Sequence, residues 1–169
     1  SNSNVIYFSD GSNIFTTTNG GGSWSNINNN LPYKTISYII VHPTDANKVW
    51  VTLSGYTSGE KVYKTIDGGN TWINISGTLP NIPINCIVLD ESSNLENLYI
   101  GTDLGVFTTD STLTDWNMFN NNSLPNVIVN ELEIQYQSNK LIAATYGRGL
   151  WNIDLQITSP PIANFSYSD

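Results

Sequence analysis

Residues 62–80 read Val-Tyr-Lys-Thr-Ile-Asp-Gly-Gly-Asn-Thr-Trp-Ile-Asn-Ile-Ser-Gly-Thr-Leu-Pro. An aliphatic-aromatic pair leads into a Gly- and Asn-rich turn, a Trp stands nine residues after the aromatic, and Leu-Pro follows seven residues later. The same landmarks recur elsewhere in the chain. Ile14-Phe15 precedes Trp24 and Leu31-Pro32, Val106-Phe107 precedes Trp116 and Leu124-Pro125, and Leu150-Trp151 opens a fourth copy. Trp24 to Trp72 is 48 positions and Trp72 to Trp116 is 44. A period of that length marks a chain assembled from repeated supersecondary units.

After each Leu-Pro the copies align without gaps. Ile36, Ile84 and Val129 fall together, then Ile39, Ile87 and Leu132, then Val41, Leu89 and Ile134. These runs read as strands buried on both faces. A second strand follows at Val49 to Leu53, Leu98 to Thr102 and Leu141 to Thr145, with Val5 to Ser9 as its counterpart in the first copy. A third strand carries the aliphatic-aromatic pair, and a fourth begins at Trp24, Trp72 or Trp116. Four short strands per unit, repeated head to tail, predict an all-β fold: a β-propeller of four-stranded antiparallel blades. A β-sandwich also has short strands, but nothing in it requires this repeat. The chain supplies strands two to four, two full blades, then strands one to three. That is about three and a half blades of a fold that needs four to eight, so part of a larger propeller is expected, with a compact four-bladed ring as the alternative.

Composition supports this and narrows the partners. Of 169 residues 39% are hydrophobic and 11% aromatic, too apolar for a disordered chain. Ala occurs four times, whereas Ile, Val, Thr and Tyr are plentiful, which favours strands. Six Lys plus Arg face fourteen Asp plus Glu, for a formal charge of −8. So few cations cannot release many counterions from a phosphate backbone, and neither nucleic acid nor an anionic membrane surface is expected as partner. No apolar run approaches the roughly 20 residues that span a bilayer, so membrane insertion is not expected either. Cys86 stands alone and reads as a buried, inert thiol. His42, the sole His, has no second His or Cys at ligand spacing. No metal and no cofactor are expected.

The residues Thr65, Asp67, Gly69, Thr71 and Trp72 resemble the Asp-box turn of BNR repeats, found in sialidases, sortilin-type receptors and xyloglucan-cleaving propeller hydrolases. A second copy places Asn19 at the Asp position, followed by Gly21, Ser23 and Trp24. In the third, Thr109 to Trp116, Ser111 takes that position and Asp115 precedes the Trp, so a distorted turn is expected. The chemistry is legible without the family. Asp67 can accept hydrogen bonds from backbone N–H groups of its own turn, Gly68 and Gly69 can supply φ > 0, and Thr71 adds a hydroxyl. Trp72 is expected to fill the gap between blades. The resemblance further implies that this turn lies on the rim away from any active site, making Asp67 structural rather than catalytic. It covers residues 5 to 155.

Tyr146-Gly147-Arg148-Gly149 and Thr102-Asp103-Leu104-Gly105 read as tight hairpins between second and third strands. Arg148, the only Arg, is expected to pair with a carboxylate or cap carbonyls between blades, with ligand binding as the alternative. Residues 1–157 are assigned to the blades. Residues 158–169 are assigned to a linker and the opening strand of a PKD-type immunoglobulin-like domain, which Ile162-Ala163-Asn164-Phe165-Ser166-Tyr167 resembles.

Three functions are open to such a chain. Sialidases hold the substrate carboxylate with three arginines, and a single Arg cannot supply them. A xyloglucanase-like glycoside hydrolase needs two carboxylates flanking the scissile bond. Asp90, Asp103, Glu131 and Glu133 are available, and Tyr33, Tyr56 and Tyr146 could stack on sugar rings, yet no spacing singles out a pair. The expected function is therefore a non-catalytic binding or structural segment of a modular secreted bacterial protein, extracellular or at the cell surface. No catalytic residue is assigned. The ligand-binding candidates are Tyr56, Asp103, Tyr146 and Arg148, on loops at one end of the propeller. The expected partners are a glycan or protein ligand on that face, and the remaining blades.

Overall fold

The computed structural model describes residues 4–120 and 124–155. The strands are β1 Ile6–Ser9, β2 Ile14–Thr17, β3 Ser25–Asn26, β4 Ile36–Val41, β5 Val49–Leu53, β6 Val62–Thr65 and β7 Ile73–Asn74. They continue with β8 Ile84–Leu89, β9 Leu98–Thr102, β10 Gly105–Thr109, β11 Asn117–Met118, β12 Val129–Gln135, β13 Lys140–Thr145 and β14 Gly149–Asp154. A single 3-10 turn, Tyr136–Ser138, is the only helical element among the described residues. It is far too short to cross a membrane.

These strands form antiparallel sheets in the orders β1-β2-β3, β4-β5-β6-β7, β8-β9-β10-β11 and β12-β13-β14. The sheets are the four units of the repeat, with three, four, four and three strands. The inner strands β4, β8 and β12 pack against one another in chain order, so the sheets succeed each other as blades. The outer strands begin one residue after each Trp and are two residues long.

Period-two alternation decides what each blade touches. Val49, Val51 and Leu53 face back to Ile14, Ile27 and Trp72 at the first seam, while Trp50 between them faces forward with Ile84, Ile87, Leu98, Ile100 and Trp116 at the second. In the next blade Leu98 and Ile100 face back, and Tyr99 faces forward to Cys86, Val129, Leu141 and Ile153 at the third seam. One strand thus feeds two cores.

The inner strands break this parity once each. Pairing with the second strand shifts between Ile36 and Tyr38, between Ile84 and Cys86, and between Val129 and Glu131. A bulge there lets residues three apart, Ile84 and Ile87, face the same seam. It also frees Ser37, Asn85 and Asn130 from the ladder.

One expectation needs correction, and one residue departs from its repeat. Burial on both faces describes β8, whereas β4 is half-exposed because no described inner strand of the first blade lies beside it. Trp24 does not sit between blades: it is 46% exposed, while Trp72 and Trp116 are buried at 3% and 7%. No described blade precedes it. The linker and PKD-like strand expected at 158–169 lie outside the described residues.

Candidate functional site

The two ends of the blades carry different chemistry. At one end lie the turns between third and fourth strands. Thr65 Oγ1 accepts from the N–H of Asp67 at 3.2 Å and of Gly69 at 2.9 Å, and donates to Asp67 Oδ1 at 2.7 Å. Asp67 also accepts from the N–H of Thr71 at 2.9 Å and its hydroxyl at 2.7 Å. These bonds, led by the Thr71 N–H, lower its pKa to about 2. Both carboxylate oxygens are thus engaged within the turn, Oδ1 by two donors and Oδ2 by one. Gly68 and Gly69 have φ of 71° and 91°.

The Asn19 turn repeats this geometry without the charge. Asn19 Oδ1 accepts from Thr17 Oγ1 at 2.8 Å and the Ser23 N–H at 2.9 Å, and its amide donates to Ser23 Oγ at 3.1 Å. Gly21 has φ 98°. The third turn is rebuilt, as expected. Asp110 accepts from the N–H and hydroxyl of Thr112, and Thr109 Oγ1 donates to the Asp115 carbonyl. Asp115 instead reaches back to Thr78, whose hydroxyl and N–H hold its pKa low.

The Trp residues lock consecutive blades at this end. Trp72 Nε1 donates to the Ile27 carbonyl at 2.8 Å and Trp116 Nε1 to the Ile75 carbonyl at 2.7 Å. Asn30 clasps the Trp72 backbone, accepting from its N–H at 2.9 Å and donating to its carbonyl at 2.7 Å.

The opposite end carries the loops between second and third strands and the bulged starts of the inner strands. The four ligand-binding candidates all lie here, but the structure joins only two of them. Tyr56 Oη donates to Asp103 Oδ2 across 3.5 Å, a loose contact between the second and third blades. Asn85 Nδ2 donates to the other oxygen of Asp103 at 3.2 Å and to the Val129 carbonyl at 3.1 Å. Asp103 is therefore aimed by a bulge residue.

Tyr146 and Arg148 stand exposed on the fourth-blade hairpin. Among the described residues Arg148 pairs with no carboxylate, and only its carbonyl is engaged, by Trp151 Nε1 at 3.1 Å. Neither bonds to the Tyr56–Asp103 pair. Three tyrosines are widely exposed at this end: Tyr33 at 79%, Tyr56 at 70% and Tyr146 at 71%.

Below Tyr56 the loop 54–60 is pinned by Lys61. Its side chain is fully buried and donates to the Gly55 carbonyl at 2.6 Å, and burial lowers its pKa. Nearer the inner strands, Tyr38 Oη donates to Glu131 Oε1 at 3.1 Å. Burial, then the Glu131 charge, pushes the Tyr38 hydroxyl up to about 12, and the same two causes push the buried Cys86 thiol to about 12.

Of the four carboxylates weighed for hydrolysis, Asp90 lies apart from Asp103 and Glu131. It lies at the other end, accepting from the N–H and hydroxyl of Ser92. Among the described residues no group of three or more His, Cys, Asp or Glu gathers as a metal site. Asn85 is the site residue that the strand pattern did not single out. The signal was present: apolar positions spaced by three and then two, at Ile84, Ile87 and Leu89, mark a bulge whose extra residue is re-aimed.

No family model matches the chain, and no curated protein matches it. Solved structures do. The GH74 xyloglucanase from Xanthomonas campestris superposes with a TM-score of 0.63 at 13% identity, over 85% of this chain and 25% of that one. The extracellular domain of a protein described as a one-component system from B. thetaiotaomicron superposes with a TM-score of 0.71 at 17% identity, over 95% of this chain and 21% of that one. YCF48 from Cyanidioschyzon merolae gives 0.61 at 12% identity, over 88% and 50%. The chain spans half or less of each neighbour. At these identities the likeness shows the β-propeller fold alone.

Proposed function

We propose that this chain is a non-catalytic, extracellular binding segment built of Asp-box blades, taking a glycan or protein ligand on its loop face. The observation that carries this is the loop end itself, where Tyr33, Tyr56 and Tyr146 expose their rings and Tyr56 meets Asp103, a carboxylate steered by Asn85. Exposed tyrosines that bury nothing offer flat apolar faces with a polar tip, and an oriented carboxylate accepts from hydroxyls. An extracellular place is supported by the B. thetaiotaomicron neighbour.

A second reading, glycoside hydrolysis, draws on the GH74 likeness and on Asp103 and Glu131 lying at the same end. Against it, Asp103 and Glu131 are each occupied by hydrogen bonds within the fold, and Asp90 is elsewhere.

The test titrates the chain with xyloglucan, mixed-linkage glucan and sialylated oligosaccharides, following binding and product release together. Binding without turnover, weakened at least about fivefold by Tyr56→Ala and by Asp103→Ala at unchanged melting temperature, is the expected result for a glycan ligand. Binding that survives both substitutions would place the ligand elsewhere. Turnover abolished by Asp103→Asn or Glu131→Gln would establish the hydrolase instead.

A further inference from the structure

We propose that Asn19 is a site of spontaneous deamidation, where the turn converts its own asparagine to an ordinary aspartate and becomes a charged copy of the Asp67 turn. This rests on the chemistry of the turns between third and fourth strands and is independent of the loop-face reading.

Asn19-Gly20 is the only Asn-Gly pair in the chain. Deamidation needs a backbone nitrogen to reach the side-chain carbonyl carbon of the residue before it, and glycine, with no Cβ, leaves that approach unobstructed. Gly20 N gives up its proton and bonds to Asn19 Cγ. The Cγ–Nδ2 bond breaks, and the amide nitrogen takes up a proton and leaves as ammonia. Water then opens the five-membered imide. Attack at Cγ breaks its new bond to Gly20 N, restores the original backbone and yields aspartate. Attack at the main-chain carbonyl carbon leaves the backbone running through Cγ and yields isoaspartate.

The hydrogen bonds of the turn favour the first outcome. Asn19 Oδ1 accepts from Thr17 Oγ1 at 2.8 Å and from the Ser23 N–H at 2.9 Å. The main-chain carbonyl of Asn19 accepts only a long bond, from the Gly22 N–H at 3.4 Å. Donors aimed at a carbonyl oxygen stabilise the charge it gains under attack, so Cγ is the better electrophile in both closure and opening. Ser23 Oγ lies 3.1 Å from Nδ2, beside the nitrogen that leaves. The Gly20 N–H donates to the Asn4 carbonyl at 2.9 Å, and that bond must open before the nitrogen attacks, which makes the conversion slow. All of these partners belong to the first blade itself, so the site does not depend on what stands beside that blade.

The second blade shows the product in place. Asp67 takes the Thr65 hydroxyl and the N–H and hydroxyl of Thr71, and Gly68 follows it at φ 71° as Gly20 follows Asn19 at 68°. Thr17 and Ser23 offer the first turn the same donors. The second blade also shows why the change runs one way. Asp10-Gly11 and Asp67-Gly68 are the two Asp-Gly pairs, and they could close the same ring only through a protonated carboxyl. Hydrogen bonds, led by the Asn13 side chain at Asp10 and the Thr71 N–H at Asp67, hold both carboxyl pKa values low. Both stay ionised at neutral pH and resist attack. The neutral amide of Asn19 has no such protection, and the aspartate it becomes acquires it.

The test ages the chain in mildly alkaline buffer beside a free peptide copying residues 16–24, and resolves aspartate from isoaspartate by chromatography and mass spectrometry of the tryptic fragment 1–34. The free peptide lacks the donors of the fold and should give mainly isoaspartate. In the folded chain Asn19 should convert more slowly than in the peptide but ahead of every other asparagine, with aspartate exceeding isoaspartate by about threefold or more. The aged protein should melt as Asn19→Asp does, with the same pH dependence. Asn19→Gln, whose extra methylene disfavours ring closure, should keep its mass at this position. An excess of isoaspartate in the folded chain, or conversion at Asn19 no faster than at the other asparagines, would overturn the proposal.

Discussion

Trp24 and Trp72 hold the same position in successive repeats, yet one is 46% exposed and the other 3%. Their turns are alike, each with a Thr hydroxyl accepting two N–H groups and two glycines at positive φ. The difference lies in what stands in front. Trp72 meets Ile27 and its carbonyl, while among the described residues Trp24 has its ring contact with Phe8 of its own blade, edge to face at 6.4 Å. A repeat therefore encodes half of a seam, and the Trp stabilises the fold only where a preceding blade supplies the other half.

Truncation separates the two cases most widely. Trp72→Ala removes a large buried side chain and orphans the Ile27 carbonyl, an expected cost of about 3–5 kcal/mol. Trp24→Ala is expected to cost less than about 1 kcal/mol. Thermal or urea melts of the two variants decide it, and Trp116→Ala should follow Trp72→Ala. Equal losses for Trp24 and Trp72 would break the comparison and mean that something covers Trp24 in solution.

Glycine sharpens it. Gly21 and Gly69 have φ of 98° and 91°, so alanine pays a similar backbone penalty at both, roughly 1–2 kcal/mol. At Gly69 the added methyl also meets the Ile27 side chain, with Ile27 Cβ at 3.0 Å, whereas at Gly21 the nearest atom is Trp24 Cζ2 at 4.0 Å. Gly69→Ala should exceed Gly21→Ala by about 1–2 kcal/mol in the same melts, and a difference near zero would show that the seam yields without cost.

The blades were legible because their landmarks are covalent spacings. β5 and β9 match the sequence-derived strands to the residue, since alternation at Val49, Val51 and Leu53 fixes both register and the two cores served. What stayed hidden depends on neighbours. That β4 and Trp24 are half-exposed reflects the lack of a described neighbour, which no local pattern records. At the loop face, Tyr56 and Asp103 could be chosen as exposed loop residues, but their meeting across a seam, 47 positions apart, is set by blade packing. Arg148 was expected to bridge blades, and nothing in its hairpin sequence shows that no described carboxylate comes within reach.

The smallest effect is electrostatic, and it tests whether charge or shape makes these turns. Folding holds the Asp67 pKa at about 2, below the ordinary carboxylate value near 4. The ionised form is the one folding favours, so the contribution is full above about pH 4 and is lost as pH falls through 2. In Asp67→Asn that dependence disappears, while the amide can donate to the Thr71 hydroxyl as Asn19 does to Ser23. A modest fall in melting temperature at pH 7 is expected, together with a shallower decline between pH 4 and pH 2. Asp10 and Asp115 are also held low and keep some slope in both proteins, so the difference between the curves is the quantity to read. The converse change, Asn19→Asp, should steepen the decline, because Ser23 can offer its N–H and hydroxyl as Thr71 does. Parallel curves for all three proteins would mean that shape alone holds the turn.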